Sequence, residues 1–166
     1  NARARKTHVE PTLNHPFAAQ ARSVHVADVD SDGALDVVSA STGDDALSWY
    51  ASAALEDENY ISNGGCDGAT YVRAVDVDGD GDVDAVATCG VDDTVAWWSN
   101  DGAQSFTMRT ITTLADYAMA VWAADLDDDG DVDAVSADYS DGAMTYHENE
   151  GDATSWGRTQ LVTDMT

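Results

Sequence analysis

The chain has 166 residues, 32 of them Asp or Glu against 7 Lys or Arg, giving a formal net charge of −25. That length suffices for one domain with a sizeable core, and the charge excludes nucleic acid and anionic lipid as partners, because gripping phosphates takes clustered Lys and Arg. No apolar run approaches the roughly 20 residues needed to span a bilayer, and a start at Asn1 without Met or a signal-like stretch reads as a mature or excised fragment.

In chain order, residues 1–22 read as an N-terminal tail whose only basic run is Arg3, Arg5 and Lys6. One pattern then appears three times. It runs Val24-His-Val-Ala-Asp-Val-Asp-Ser-Asp-Gly-Ala-Leu-Asp36, then Val72-Arg-Ala-Val-Asp-Val-Asp-Gly-Asp-Gly-Asp-Val-Asp84, then Val121-Trp-Ala-Ala-Asp-Leu-Asp-Asp-Asp-Gly-Asp-Val-Asp133. The first aspartates, Asp28, Asp76 and Asp125, stand 48 and 49 residues apart. Each acidic loop leads into a strand of small apolar residues, starting at Asp36, Asp84 or Asp133. A polar turn follows, then an aromatic-ended strand: Leu47-Ser-Trp-Tyr50, Val95-Ala-Trp-Trp98 or Met144-Thr-Tyr-His147. After a second turn comes a last strand, clear at Phe106–Ile111, expected over Trp156–Val162, and weak near Tyr60-Ile61.

Each repeat therefore offers four short strands joined by turns, with no helical periodicity. A period of this size marks radial or stacked repeats, and four-stranded antiparallel sheets repeated radially are the blades of a β-propeller. The expected fold is all-β, with three blades over about 23–70, 71–118 and 119–166. Thr7–Leu13 falls where the outer strand of a preceding blade would lie. Three blades are too few to close a ring, since propellers have roughly 4–8. The chain is thus expected to be part of a longer propeller, or to close by association. Two cysteines, Cys66 and Cys89, either pair in an oxidising compartment or sit as buried thiols; their spacing does not decide.

The loops read Asp-x-Asp-x-Asp-Gly-x-x-Asp: Asp28, Asp30, Asp32 and Asp36; Asp76, Asp78, Asp80 and Asp84; Asp125, Asp127, Asp129 and Asp133. Carboxylates at alternate positions point to one side of a curling backbone, the Gly permits the turn, and position seven (Ala34, Asp82, Asp131) can add its backbone carbonyl. So many hard oxygen donors favour Ca²⁺, which takes about 6–8 oxygens, over the stricter octahedron of Mg²⁺. Without His or Cys in the loops, transition metals are disfavoured. About three Ca²⁺ ions are expected, one per loop. An EF-hand shares the opening residues but needs Glu at position twelve and flanking helices. Here position twelve is Ser39, Ala87 or Ser136, and the flanks are Val-rich.

These residues resemble the FG-GAP/VCBS repeat family of integrin-α-like propellers, over about Val24 to Val162, with the acidic loop as the most specific element. The Phe-Gly and Gly-Ala-Pro motifs that name the integrin version are absent, and Asp93-Thr-Val-Ala-Trp97 is more similar to the VCBS branch. The resemblance implies a propeller with Ca²⁺ in a hairpin loop of each blade. It also implies extracellular or lumenal work in adhesion, recognition or scaffolding, without catalysis.

The expected function is accordingly a non-catalytic, calcium-stabilised module for contact with protein partners in a larger assembly. One alternative is a glycan-binding, lectin-like propeller. Trp49, Trp97 and Tyr146 recur at one strand position and read as inter-blade core, whereas Tyr50, Trp98 and His147 occupy the opposite-facing position and read as exposed surface. The other alternative is the propeller portion of a secreted enzyme. His8, His15, His25 and His147 are scattered, and none sits in a nucleophile or metal motif.

Overall fold

The computed structural model describes residues 20–162, which form twelve strands and, among the described residues, no helix. The expected strand at Thr7–Leu13 lies outside the described residues. The strands are β1 (Ala21–Ala27), β2 (Asp36–Ser41), β3 (Ala46–Tyr50) and β4 (Asn59–Asn63); β5 (Ala69–Val75), β6 (Asp84–Cys89), β7 (Thr94–Asn100) and β8 (Phe106–Thr112); β9 (Ala118–Ala124), β10 (Asp133–Asp138), β11 (Ala143–His147) and β12 (Thr159–Val162). Each set of four pairs in sequence order as an antiparallel sheet. The weak segment at Tyr60-Ile61 does form its strand, β4. Its polar residues are tolerated because it is the outermost, half-solvated strand of its sheet.

All three sheets carry the same irregularities. The register shifts near the start of β1, β5 and the end of β10, and again where β3, β7 and β11 meet their outer strands. A bulge at a fixed place gives each sheet the same added twist, so the sheets nest. The first strands approach one another most closely: β5 lies against β1 and β9, and the approach weakens toward the third strands. The sheets therefore splay from a common inner edge. Small residues make that edge possible, with Ala69, Ala74, Ala118 and Ala123 all buried there.

Two apolar layers fill the gaps between sheets. The first joins Val38, Leu47 and Trp49 of the first sheet to Val72, Ala87 and Trp98 of the second. The second joins Val86, Val95 and Trp97 of the second sheet to Val121, Ala123 and Ala134 of the third. Because β7 serves both layers with alternate residues, nearly all of it is buried. This corrects the reading of Trp98 and His147 as exposed surface: they are 2% and 1% exposed. Alternation separates two faces of a strand, but in a stack both faces are covered. Tyr50, at the same position in the first sheet, is half-buried, with its hydroxyl on Glu58.

Several ties connect successive sheets. Cys66, in the segment before β5, forms a disulfide with Cys89 at the end of β6. Asp45 accepts the Gly68 N–H at 2.9 Å, and Asp93 accepts that of Tyr117 at 2.9 Å, so the turns before β3 and β7 grip the segments leading to the next sheet. Thr70 donates to the Ala118 carbonyl at 2.8 Å between the inner strands of the second and third sheets.

Candidate metal centres

Each acidic loop spans the gap between the paired ends of a sheet's first two strands, where Ala27, Val75 and Ala124 face Asp36, Asp84 and Asp133. The first aspartate organises the curl. Asp28 accepts the N–H groups of Asp32 and Gly33 at 3.0 and 2.9 Å, Asp76 those of Gly79 and Gly81 at 2.8 and 3.0 Å, and Asp125 that of Gly130 at 3.1 Å. Gly33, Gly81 and Gly130 hold φ of +89°, +96° and +102° with open space where a Cβ would stand. Glycine is required there by the backbone angle and not by crowding.

The fifth-position aspartates fix the next peptide. Asp32 accepts the Ala34 N–H at 2.7 Å, and Asp80 and Asp129 accept those of Asp82 and Asp131 at 2.9 Å. These are the residues whose carbonyls the sequence assigns to the metal shell. The ninth-position aspartates are buried at 0–1% exposure and lock the loop to the sheet. Asp36 accepts the N–H groups of Val29 and Ser52, Asp84 those of Val77 and Asn100, and Asp133 those of Leu126 and Asn149, all at 2.8–3.1 Å. Each oxygen so engaged keeps a second lone pair.

Three carboxylate groups converge in each loop, with one ligand atom apiece and all within 4.8 Å of one another: Asp28, Asp30 and Asp32; Asp76, Asp78 and Asp84; Asp125, Asp127 and Asp133. Nine of the twelve sequence-predicted side chains are thus gathered. Asp36, Asp80 and Asp129 stand outside these groups and serve the backbone bonds just described.

The local electrostatics call for a cation. Burial pushes the Asp84 carboxyl up to about 6, and Asp78 and Asp80 add to the rise, against the lowering effect of the Asn100 and Val77 N–H groups. The third-position carboxyls Asp30, Asp78 and Asp127 are likewise held above the ordinary carboxylate range, first by loss of water and then by neighbouring aspartates. An all-oxygen, densely anionic donor set is compatible with Ca²⁺.

Sequence reasoning missed the supports. Asn100 accepts the N–H groups of Gly102 and Gln104 and donates to the Val83 and Val29 carbonyls, and Asn149 repeats most of this around Gly151 and Ala153. The repeated Asn-x-Gly, at Asn100-Asp-Gly102 and Asn149-Glu-Gly151, is the signal in the sequence, and by itself it announces only a turn. Tyr146 donates from its hydroxyl to Asp133 at 3.0 Å, which no spacing could announce.

A second polar group lies buried in the third sheet. Ser136 donates to Asp138 at 2.7 Å, Thr145 donates to the other Asp138 oxygen at 2.8 Å, and His147 Nε2 meets Ser136 Oγ at 3.1 Å. Since the serine proton goes to Asp138, Nε2–H of His147 is the donor to Ser136. A nucleophile triad needs the reverse, with serine bonded to histidine and histidine to aspartate. Burial holds His147 down to about 4, so it stays neutral.

Residues 28–87 and 76–136 match the FG-GAP-like repeat family. No curated protein and no solved structure matches the chain significantly.

Proposed function

The chain belongs to the FG-GAP-like repeat family, and from that membership we propose that it is a non-catalytic, calcium-stabilised module that presents stacked sheets for contact with other proteins outside the cytosol. The observation that carries this reading is that the same loop of each sheet gathers three carboxylates with one oxygen apiece within 4.8 Å of one another. Asp28, Asp30 and Asp32 hold the first ion, Asp76, Asp78 and Asp84 the second, and Asp125, Asp127 and Asp133 the third. The carbonyls of Ala34, Asp82 and Asp131 complete the shells. Bound Ca²⁺ supplies charge neutralisation and holds the loop closed, so each sheet keeps its shape despite the chain's −25 charge. Extracellular modules bind Ca²⁺ at roughly 10⁻⁴ to 10⁻³ M, and the Cys66–Cys89 disulfide supports an oxidising compartment. The Ser136–Asp138 bond supports a structural use for the buried histidine.

The test is calorimetric titration of metal-stripped protein together with melting curves. About three ions per chain should bind, and Ca²⁺ at about 100-fold over Kd should stabilise by about 3 kcal/mol per site, up to about 8 kcal/mol for three independent sites. Identical melting in excess EGTA and in millimolar Ca²⁺ would count against the reading.

A further inference from the structure

We propose that His25, Arg73 and Trp122 form an anion site at the inner edge of the stacked sheets, built to take one carboxylate. The inference does not depend on the calcium reading.

The three residues share one repeat position. They stand opposite Val38, Val86 and Val135, on β1, β5 and β9, the strands that approach one another along the inner edge. His25 reaches toward β5, where its Nδ1 accepts the Ala74 N–H at 3.1 Å. Arg73 reaches toward β9 and lays its guanidinium carbon 3.5 Å from the centre of the Trp122 ring. None of these three strands carries an Asp or Glu. The inner edge is therefore an acid-free lane in a chain of net charge −25.

The hydrogen-bond roles in this lane do not match. A ring nitrogen that accepts a bond carries no proton, so the imidazole proton of His25 is on Nε2. Burial first, and the Arg73 charge second, hold the ring below its ordinary titration range, so it is neutral at pH 7. Its Nε2 faces Nη1 of Arg73 at 3.4 Å. A guanidinium nitrogen can only donate. Two N–H groups thus converge, and neither can accept from the other. The Nε of Arg73 is a further donor, buried and unpartnered among the described residues.

One oxygen accepting from both N–H groups resolves the mismatch. Water could accept twice, yet it leaves a half-buried guanidinium whose described partners are an imidazole and an indole, neither of them a counter-charge. A carboxylate brings the acceptor and the charge together. Its planar pair of oxygens matches the forked donors of arginine. Beside the guanidinium, the Trp122 ring is 50% exposed and offers apolar surface to the carbon stem of the acid. The carboxylate belongs either to a small free acid or to an Asp, Glu or C-terminus of a polypeptide; the site chemistry is the same.

The experiment is nitrogen-15 NMR of the full 166-residue chain at pH 7 in Ca²⁺. Sodium acetate is titrated to about 0.15 M, with sodium chloride at matched ionic strength as the control. Acetate should move the His25 Nε2 and Arg73 guanidinium resonances together along one saturable curve, at lower concentration than chloride does. Arg73→Gln should weaken that binding about tenfold or more, with unchanged circular dichroism. Arg73→Lys, which keeps the charge and loses the fork, should fall between and gives a second folded comparison. A peptide with blocked ends and a single Glu distinguishes the sources: tighter binding than acetate assigns the site to a polypeptide carboxylate, and equal or weaker binding assigns it to a free acid. No saturable response, a response equal in chloride, or one unchanged in Arg73→Gln would each overturn the site, leaving water as the bridging acceptor.

Discussion

Asp84 accepts the backbone N–H of Asn100 at 2.8 Å, bonding the end of an acidic loop to the end of β7 in the same sheet. The tie recurs at Asp36 with Ser52 and at Asp133 with Asn149. The ninth-position carboxylate therefore has a structural duty that exists with or without an ion.

That duty separates two kinds of aspartate by mutation. Asp84→Ala orphans two buried N–H groups, those of Val77 and Asn100, and should cost about 2–4 kcal/mol even in EGTA, and more in Ca²⁺, where it also removes a carboxylate of the second cluster. Asp78→Asn removes a carboxylate that accepts from Ser99 at a long 3.5 Å and from the Asp80 N–H, bonds that the amide oxygen of Asn can keep. It should leave stability in EGTA nearly unchanged while flattening the rise in Tm with added Ca²⁺. Chemical denaturation of both variants in each condition reads the difference.

The sign of the pH response should invert with calcium. Asp84 titrates at about 6 in the folded chain against an ordinary 3.8, so without metal the folded state binds the extra proton between those values. Its contribution is then fully present below about pH 4 and is lost as pH rises through 6. With Ca²⁺ bound, protons compete with the ion and acidification destabilises instead. His147, held down to about 4, adds a loss of stability as pH falls from 6.5, but equally in both conditions. The gap between Tm in Ca²⁺ and Tm in EGTA should shrink steadily from pH 7.5 to 4.5, and a constant gap would contradict the account.

Backbone angle alone should make Gly81→Ala costly. At φ +96° with open space around it, alanine meets no clash yet strains the chain, by about 1–2 kcal/mol. Asp128, already at φ +65°, should gain up to about 1 kcal/mol on replacement by glycine, the residue that the second loop has at this position as Gly79. Melting temperatures in saturating Ca²⁺ test the pair.

Reducing the disulfide should destabilise by about 3 kcal/mol, the loop-closure cost for its 23-residue separation. Because Cys66 and Cys89 lie away from the acidic loops, the thermal response to Ca²⁺ should persist in reductant, shifted down as a whole.

The repeat, its strands and its loops were legible in the sequence because they are local. Aspartates two residues apart with a glycine at the sixth place define a curl whatever surrounds it, and even the weak β4 formed at its repeat position. The family resemblance drawn from those loops agrees with the family match over 28–136. The roles within the site were less legible. That Asp36 serves the backbone while Asp84 and Asp133 also join a cluster depends on how each loop curls in three dimensions, since the three carry the same position in the pattern.

What only the tertiary structure decided is what lies across each face. Trp98 and Trp97 are neighbours in β7, pointing opposite ways, and both are buried, since a middle sheet has a partner on either side. Tyr146 holds the same strand position as Trp97 yet is only half-buried, since the third sheet has a described neighbour on one side alone. Alternation along a strand sets direction, a property of the chain's own covalent geometry. Burial and the pairing of Cys66 with Cys89 depend on residues far away in sequence, which only the stacking of sheets brings near.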